Sequence, residues 1–290
     1  MKLYTFDNGD GVKRVGVELT GFPGLIRDVR DFGLPYRDMT DLIRRITPSE
    51  KERISDPEAA LDGRPLRLSS VRVCSPIPHP EQDIICLGVN YAAHADESAQ
   101  FDRKAFLLDR KKATYFSKRA YQTSGPDDLI PSYPELVTSL DYEAELAVII
   151  GRDCKNVCER DAAACIFGYT VLNDVSARNL QTEHNQWYFG KSLDGFTPMG
   201  PCIVTEDEIP YPPALSISST VNGELRQNSN TKYLLHSISE IIAELSQGMT
   251  LLAGTIIATG TPAGVGMGFD PPKFLKSGDV VTCEIEKIGR

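Results

Sequence analysis

Asp141-Tyr142-Glu143-Ala144-Glu145 opens an apolar run that continues as Leu146-Ala147-Val148-Ile149-Ile150. A run of this kind reads as a buried strand over 142–150. Residues i and i+2 of a strand point to one face, which sets Glu143 and Glu145 side by side. Two adjacent carboxylates repel each other and are costly to bury, so the fold has to bring a cation to them. Asp174, after a second apolar run, offers a third oxygen ligand. An oxygen-only set of Glu143, Glu145 and Asp174 suits Mg²⁺, Mn²⁺ or Ca²⁺ rather than zinc. Three carboxylates leave about half of an octahedral shell open to water or a substrate. Spacing alone also admits a plainer reading, three surface carboxylates at a strand edge.

Around this run the chain is rich in short β segments. They are expected at 84–89, 113–116, 142–150, 168–172, 202–205, 216–221, 255–259 and 280–285, with turn residues between them. Helices are expected at 160–167 and at 237–247, where Ser237 caps Ile238, Ile241, Ile242 and Leu245 at helical spacing. Many strands and few helices give a mixed α/β, β-dominated fold rather than alternating βαβ units. Residues 1–72 read as a small N-terminal unit. In it, 2–6 and 14–19 form a hairpin across Asn8-Gly9-Asp10-Gly11, and 36–54 is helix-like. Asp62-Gly63-Arg64-Pro65 marks a turn, and 71–80, with Pro76, Pro78 and Pro80, reads as a stiff linker into a catalytic domain over 73–290.

A net charge of -9 over 290 residues argues against a general nucleic-acid binder. It does not exclude an anionic small substrate, because a cleft can carry a local field of opposite sign. No segment reaches the ~20 apolar residues of a membrane-spanning helix, and the N-terminus lacks the apolar core of a signal peptide. Seven cysteines, an odd number without paired spacing, fit a reducing compartment, and the cytoplasm is the expected location. Cys154, Cys158 and Cys165 are close in sequence but have no neighbouring His, so they read as ordinary thiols.

Three further stations carry chemistry. His94 and Glu97 are i and i+3 neighbours if 92–97 is helical, and a carboxylate beside an imidazole orients it as a general base. An incidental surface pair has the same spacing. Lys191, in Phe189-Gly190-Lys191-Ser192, can hold a substrate carboxylate or an enolate oxygen, or can simply be solvated. Arg178 and Gln181, just past Asp174, can reach the same ligand, and Lys118 is another candidate. The Gly-rich run Thr259-Gly260-Thr261-Pro262-Ala263-Gly264-Val265-Gly266 leads into Asp270-Pro271-Pro272. Those prolines forbid the helix that a dinucleotide fingerprint requires. A tight loop whose amides approach a small anion is expected instead.

Taken in order, these stations resemble the fumarylacetoacetate hydrolase family. The matching stretches include Gly-Val-Asn-Tyr-Ala-Ala-His (88–94), Asp-Tyr-Glu-Ala-Glu-Leu (141–146), Leu-Asn-Asp-Val-Ser-Ala-Arg (172–178), Gly-Lys-Ser-Leu-Asp (190–194) and Ala-Thr-Gly-Thr-Pro-Ala-Gly-Val-Gly (258–266). The resemblance covers about residues 84–288. It implies a β-roll catalytic domain with a small N-terminal α+β domain, assembled as a homodimer. It implies Mg²⁺ or Mn²⁺ on Glu143, Glu145 and Asp174, a water-activating dyad of His94 and Glu97, an active-site lysine in Lys191, and substrate contacts from Gln181 and Thr261. The implied substrates are 2-oxo acids, 1,3-dicarbonyl acids and their enols.

The reaction expected first is hydrolysis of a C–C bond in an acylpyruvate-like acid. The alternatives are oxaloacetate decarboxylation or tautomerisation, isomerisation or hydration of a 2-hydroxy-dienoate in aromatic catabolism, and a catalytically silent binding member. Two departures from the family pattern stand out. The stretch 101–114, a lid in relatives, lacks their proline, and the chain ends at Arg290 where relatives continue.

Overall fold

The structure is a computed structural model that describes residues 1–56, 64–106, 109–184 and 186–290. Its strands are β1 (Lys2–Asp7), β2 (Arg14–Glu18), β3 (Leu25–Asp28), β4 (Leu66–Arg67), β5 (Arg72–Cys74), β6 (Ile84–Gly88), β7 (Thr114–Lys118) and β8 (Leu140–Asp141). They continue as β9 (Ala144–Ile150), β10 (Ile166–Asn173), β11 (Ser176–Ala177), β12 (Met199–Thr205), β13 (Ser216–Val221), β14 (Glu224–Asn230), β15 (Ile256–Ala258) and β16 (Val281–Ile285). The α-helices are α1 (Met39–Arg45), α2 (Pro48–Ser55), α3 (Ala92–Phe101), α4 (Arg103–Phe106), α5 (Arg178–Glu183), α6 (Tyr188–Lys191) and α7 (Ile238–Gly248). None is long and apolar enough to cross a membrane. Short strands and few helices make the mixed, β-dominated fold that the residue pattern predicts.

One large sheet runs β4-β3-β2-β1-β12-β10-β9-β15-β6-β7, with β5 on β1. The first strands join it through β1, which pairs antiparallel with β12 at Lys2↔Val204 and Leu3↔Ile203. β9 and β10 lie at its centre and are buried throughout. Alternation along β9 explains the apolar run. Leu146, Val148 and Ile150 face a cluster that includes Ile238, Ile241, Ile242 and Leu245 of α7. Ala147 and Ile149 face a second cluster with Leu3, Val15, Val17 and Leu42. A strand covered on both faces has no solvent side to make polar.

Several expectations are corrected. The strand begins at Ala144, because Tyr142 and Glu143 occupy a break between β8 and β9. The stretch 160–167 is not an α-helix: a 3-10 turn over Glu159–Cys165 leads straight into β10. The helical stretch 36–54 is two helices, divided where Thr47 caps Pro48 and Glu50 completes a capping box. A residue before proline is biased away from helical geometry, which enforces the break. The linker expected at 71–80 contains β5, which pairs with β1 at Thr5↔Cys74. Of the turn expected at 62–65, Asp62 and Gly63 lie outside the described residues, as do 107 and 108 of the lid stretch. The α7 expectation holds, with Ser237 and Glu240 forming its capping box. All seven cysteines are free thiols.

Candidate active site

The antiparallel register of β9 and β10 assembles the carboxylates. Asn173 lies opposite Ala144 and Leu172 opposite Glu145, so the end of β10 meets the start of β9. Asp174 donates its amide to Glu143 O at 2.9 Å, and Asn173 Oδ1 accepts the Glu143 amide at 3.0 Å. The ligand oxygens of Glu143, Glu145 and Asp174 come within 4.8 Å of one another, and all three residues are buried. They are not surface carboxylates at a strand edge.

Buried cations brace them. Lys191 Nζ donates to Glu143 Oε2 and to Asp174 Oδ2, both at 2.7 Å. Arg178 reaches Glu143 Oε1 at 2.7 Å and Asp141 Oδ2 at 2.9 Å. Lys118 lies 2.8 Å from Asp174 Oδ1 and donates to Val175 O at 3.1 Å and to Lys191 O. Burial raises the pKa of Glu143, but Lys191 and Arg178 outweigh it and hold this carboxyl at about 2. Glu145 differs. Burial, then the charges of Asp174 and Glu143, push its pKa well up. It takes the Gly260 amide at 2.8 Å and makes no ion pair among the described residues. Four buried carboxylates (Asp141, Glu143, Glu145 and Asp174) thus share three buried cations (Lys118, Arg178 and Lys191). An excess of buried anion with hard oxygen donors fits a divalent cation.

The dyad sits at the ends of two parallel strands. β6 and β15 run side by side, at Ile257↔Ile85 and Ala258↔Cys86. Beyond β6, α3 carries His94 and Glu97, one helical turn apart. Glu97 Oε1 lies 2.8 Å from His94 Nδ1, and Ser98 Oγ lies 3.5 Å from Nε2. With Glu97 accepting from Nδ1–H, Nε2 is left as the basic nitrogen. Beyond β15, the Gly-rich loop bonds to the protein's own carboxylates. Gly264 donates to Glu97 Oε2 at 3.0 Å, Gly266 to Asp141 Oδ1 at 2.6 Å and Met267 to Asp141 Oδ2 at 3.0 Å. The amides do approach anions, but these belong to the chain.

The lining of one narrow cleft includes His94, Glu143, Arg178, Gln181, Lys191 and Thr261. Its other lining is apolar and includes Leu87, Val89, Phe106, Phe116 and Trp187. Two candidate contacts are already engaged. Gln181 Oε1 accepts from Arg178 at 3.0 Å, and Thr261 Oγ1 donates to Ala144 O at 2.8 Å. Lys118 does not line the cleft; it is wholly buried behind Asp174. Sequence reasoning missed two residues. Asp141 stands in the diagnostic motif, yet its place between Arg178 and the Gly-rich loop had no local signal. Gln227, a buried polar residue in β14, donates to Thr261 Oγ1 at 2.7 Å and accepts the Ala144 amide at 3.0 Å.

Residues 83–290 match the family model described as fumarylacetoacetate (FAA) hydrolase C-terminal. The oxaloacetate tautomerase YisK of Bacillus subtilis (strain 168) is 46% identical over 222 residues, covering 77% of this chain and 72% of that protein. The mitochondrial oxaloacetate tautomerase fahd2 of Xenopus laevis is 39% identical over 295 residues, covering 100% of this chain and 88% of its own. Among solved structures, maleylpyruvate hydrolase of Sphingobium sp. SYK-6, in complex with manganese(II) and pyruvate, is similar with a TM-score of 0.76 at 33% identity, covering 100% of this chain and 96% of that one.

Proposed function

The chain belongs to the fumarylacetoacetate hydrolase family, and we propose that it is a divalent-metal-dependent enzyme that interconverts the keto and enol forms of a small, oxaloacetate-like 2-oxo acid. The observation that carries this reading is the shared cleft. A His–Glu pair, a buried ammonium and a carboxylate cluster in which Glu145 meets no side-chain cation among the described residues all line or adjoin one small space.

When bound at Glu143, Glu145 and Asp174, Mg²⁺ or Mn²⁺ supplies positive charge for the acid's carboxylate and carbonyl oxygens and for the enolate. His94 acts through Nε2. Glu97 holds the ring by its Nδ1 side, and Gly264 holds Glu97 in turn. Nε2 takes a proton from the carbon next to the 2-oxo group, and the oxygen of that group gains one. Lys191, kept an ammonium by Asp174 and Glu143 despite its burial, is the nearby acid. The apolar lining limits water in the cleft.

Hydrolysis of a C–C bond is the second reading. It is favoured by the manganese- and pyruvate-bound maleylpyruvate hydrolase and by the dyad, which serves equally to remove a proton from water. One experiment separates the two. Enol oxaloacetate and an acylpyruvate are each followed by absorbance with Mn²⁺, with Mg²⁺ and after chelation. Metal-dependent enol loss without pyruvate release supports tautomerisation. Acylpyruvate cleavage to pyruvate supports hydrolysis, and no metal-dependent change with either acid overturns both. Assembly as a homodimer and a cytoplasmic location belong to the same proposal.

A further inference from the structure

We propose that Trp187 determines which 2-oxo acids the cleft accepts, its indole forming the wall that restricts the arm beyond the 2-oxo group to a short one. This inference rests on the reading of the site as a 2-oxo acid site and names its specificity element.

Trp187 is the single tryptophan of the chain. It lies between α5 and α6, four residues before Lys191, and lines the same cleft as Lys191 and His94. Its ring is wedged. The Phe106 and Phe116 rings each sit with centroids 5.4 Å away, tilted by 41° and 70°. Behind it is Gly88, the last residue of β6, where an added Cβ would run into the indole. β6 is hydrogen-bonded on both sides, to β15 and to β7, so the backbone behind the ring has little room to retreat.

The chemistry of the two linings then sorts the substrate. The charged and polar groups of the lining serve the 2-oxo acid end. The rest of the lining includes the aromatic and aliphatic carbon of Leu87, Val89, Phe106, Phe116 and Trp187. A short or planar arm gains contact with these rings, whereas a longer one must displace a ring held on several sides.

The test uses binding of unreactive acids, so it does not depend on turnover. Mn²⁺-loaded protein is titrated with pyruvate, 2-oxobutyrate, 2-oxohexanoate and 2-oxooctanoate by calorimetry, as wild type, Trp187→Phe and Trp187→Ala. In the wild type, affinity falls as the arm lengthens. In Trp187→Ala the long acids gain about tenfold or more relative to pyruvate, with Trp187→Phe between them. Saturable quenching of wild-type tryptophan fluorescence by pyruvate reports the same wall. An unchanged long-to-short ratio in both variants, or fluorescence indifferent to pyruvate at saturation, overturns the proposal. If the ratio shifts while neither enol oxaloacetate nor an acylpyruvate shows a metal-dependent change, the wall stands and the assigned reaction falls. Absence of binding by every acid to the Mn²⁺-loaded wild type overturns both.

Discussion

The ammonium of Lys118 lies 2.8 Å from Asp174 Oδ1, with both side chains wholly buried. A lysine that sequence order nominates as a substrate contact is instead the inner support of a metal-ligand candidate. It also donates to the Lys191 carbonyl, so it ties the Asp174 turn to α6.

Replacing Lys118 by Met therefore leaves Asp174 short of a buried partner. Breaking one side of a buried pair costs about 3–5 kcal/mol. Urea denaturation should show a loss of that size, with weaker Mn²⁺ binding alongside. A variant as stable as the wild type would show that the pair contributes nothing.

Glu145 should make metal binding pH-dependent. Its pKa is raised by burial and by its carboxylate neighbours in the metal-free protein. A carboxyl raised in the folded state contributes stability below its unfolded value, about 4.3. That contribution is lost as pH rises through the folded value. A cation binds the ionised form and relieves this strain, so the rise in melting temperature on adding Mn²⁺ should be larger at pH 8 than at pH 5.5. Glu145→Gln should remove most of the effect. Equal stabilisation at both pH values would contradict the assignment of Glu145 as a ligand.

His94→Ala and Glu97→Gln separate chemistry from metal binding. General-base catalysis is worth about 10²–10⁴-fold, so turnover should fall within that range in His94→Ala. Neither residue is in the carboxylate cluster, so calorimetric Mn²⁺ affinity should change by no more than a few-fold in either variant. Loss of Mn²⁺ binding in His94→Ala would place the imidazole in the metal site instead.

Gly264 tests the Gly-rich loop. Its φ is +104°, and a Cβ there would collide with the Arg226 carbonyl. Its amide holds Glu97. Gly264→Ala should lower both the melting temperature and kcat. The kcat loss should track that of Glu97→Gln, because both release the imidazole. A Gly264→Ala protein with normal kcat would separate the loop from the dyad.

Some of this was legible residue by residue. Glu143, Glu145 and Asp174 could be grouped from spacing and the cost of burying carboxylates, and the i, i+3 spacing of His94 and Glu97 suffices once α3 forms. The α7 boundaries follow from Ser237, Glu240 and the 3.6-residue period, a purely local code. Other features were not local. The 160–167 stretch is not a helix, because pairing with β9 claims the chain from Ile166 onward. The break at Glu143 needs β8 to pair with β11, a contact of 35 residues' separation at Ser176↔Asp141.

The sequence by itself therefore determined the donor chemistry and the family: which side chains can hold a hard cation, which can carry a proton, and the order in which they occur. Only the tertiary structure decided how the charges are shared. Lys118, Arg178 and Lys191 reach the carboxylates from separate elements. The Gly-rich loop directs its amides at Glu97, Asp141 and Glu145, and Trp187 packs against Gly88. Each is a long-range contact fixed by packing, and spacing along a chain carries no information about which buried charge will meet which partner.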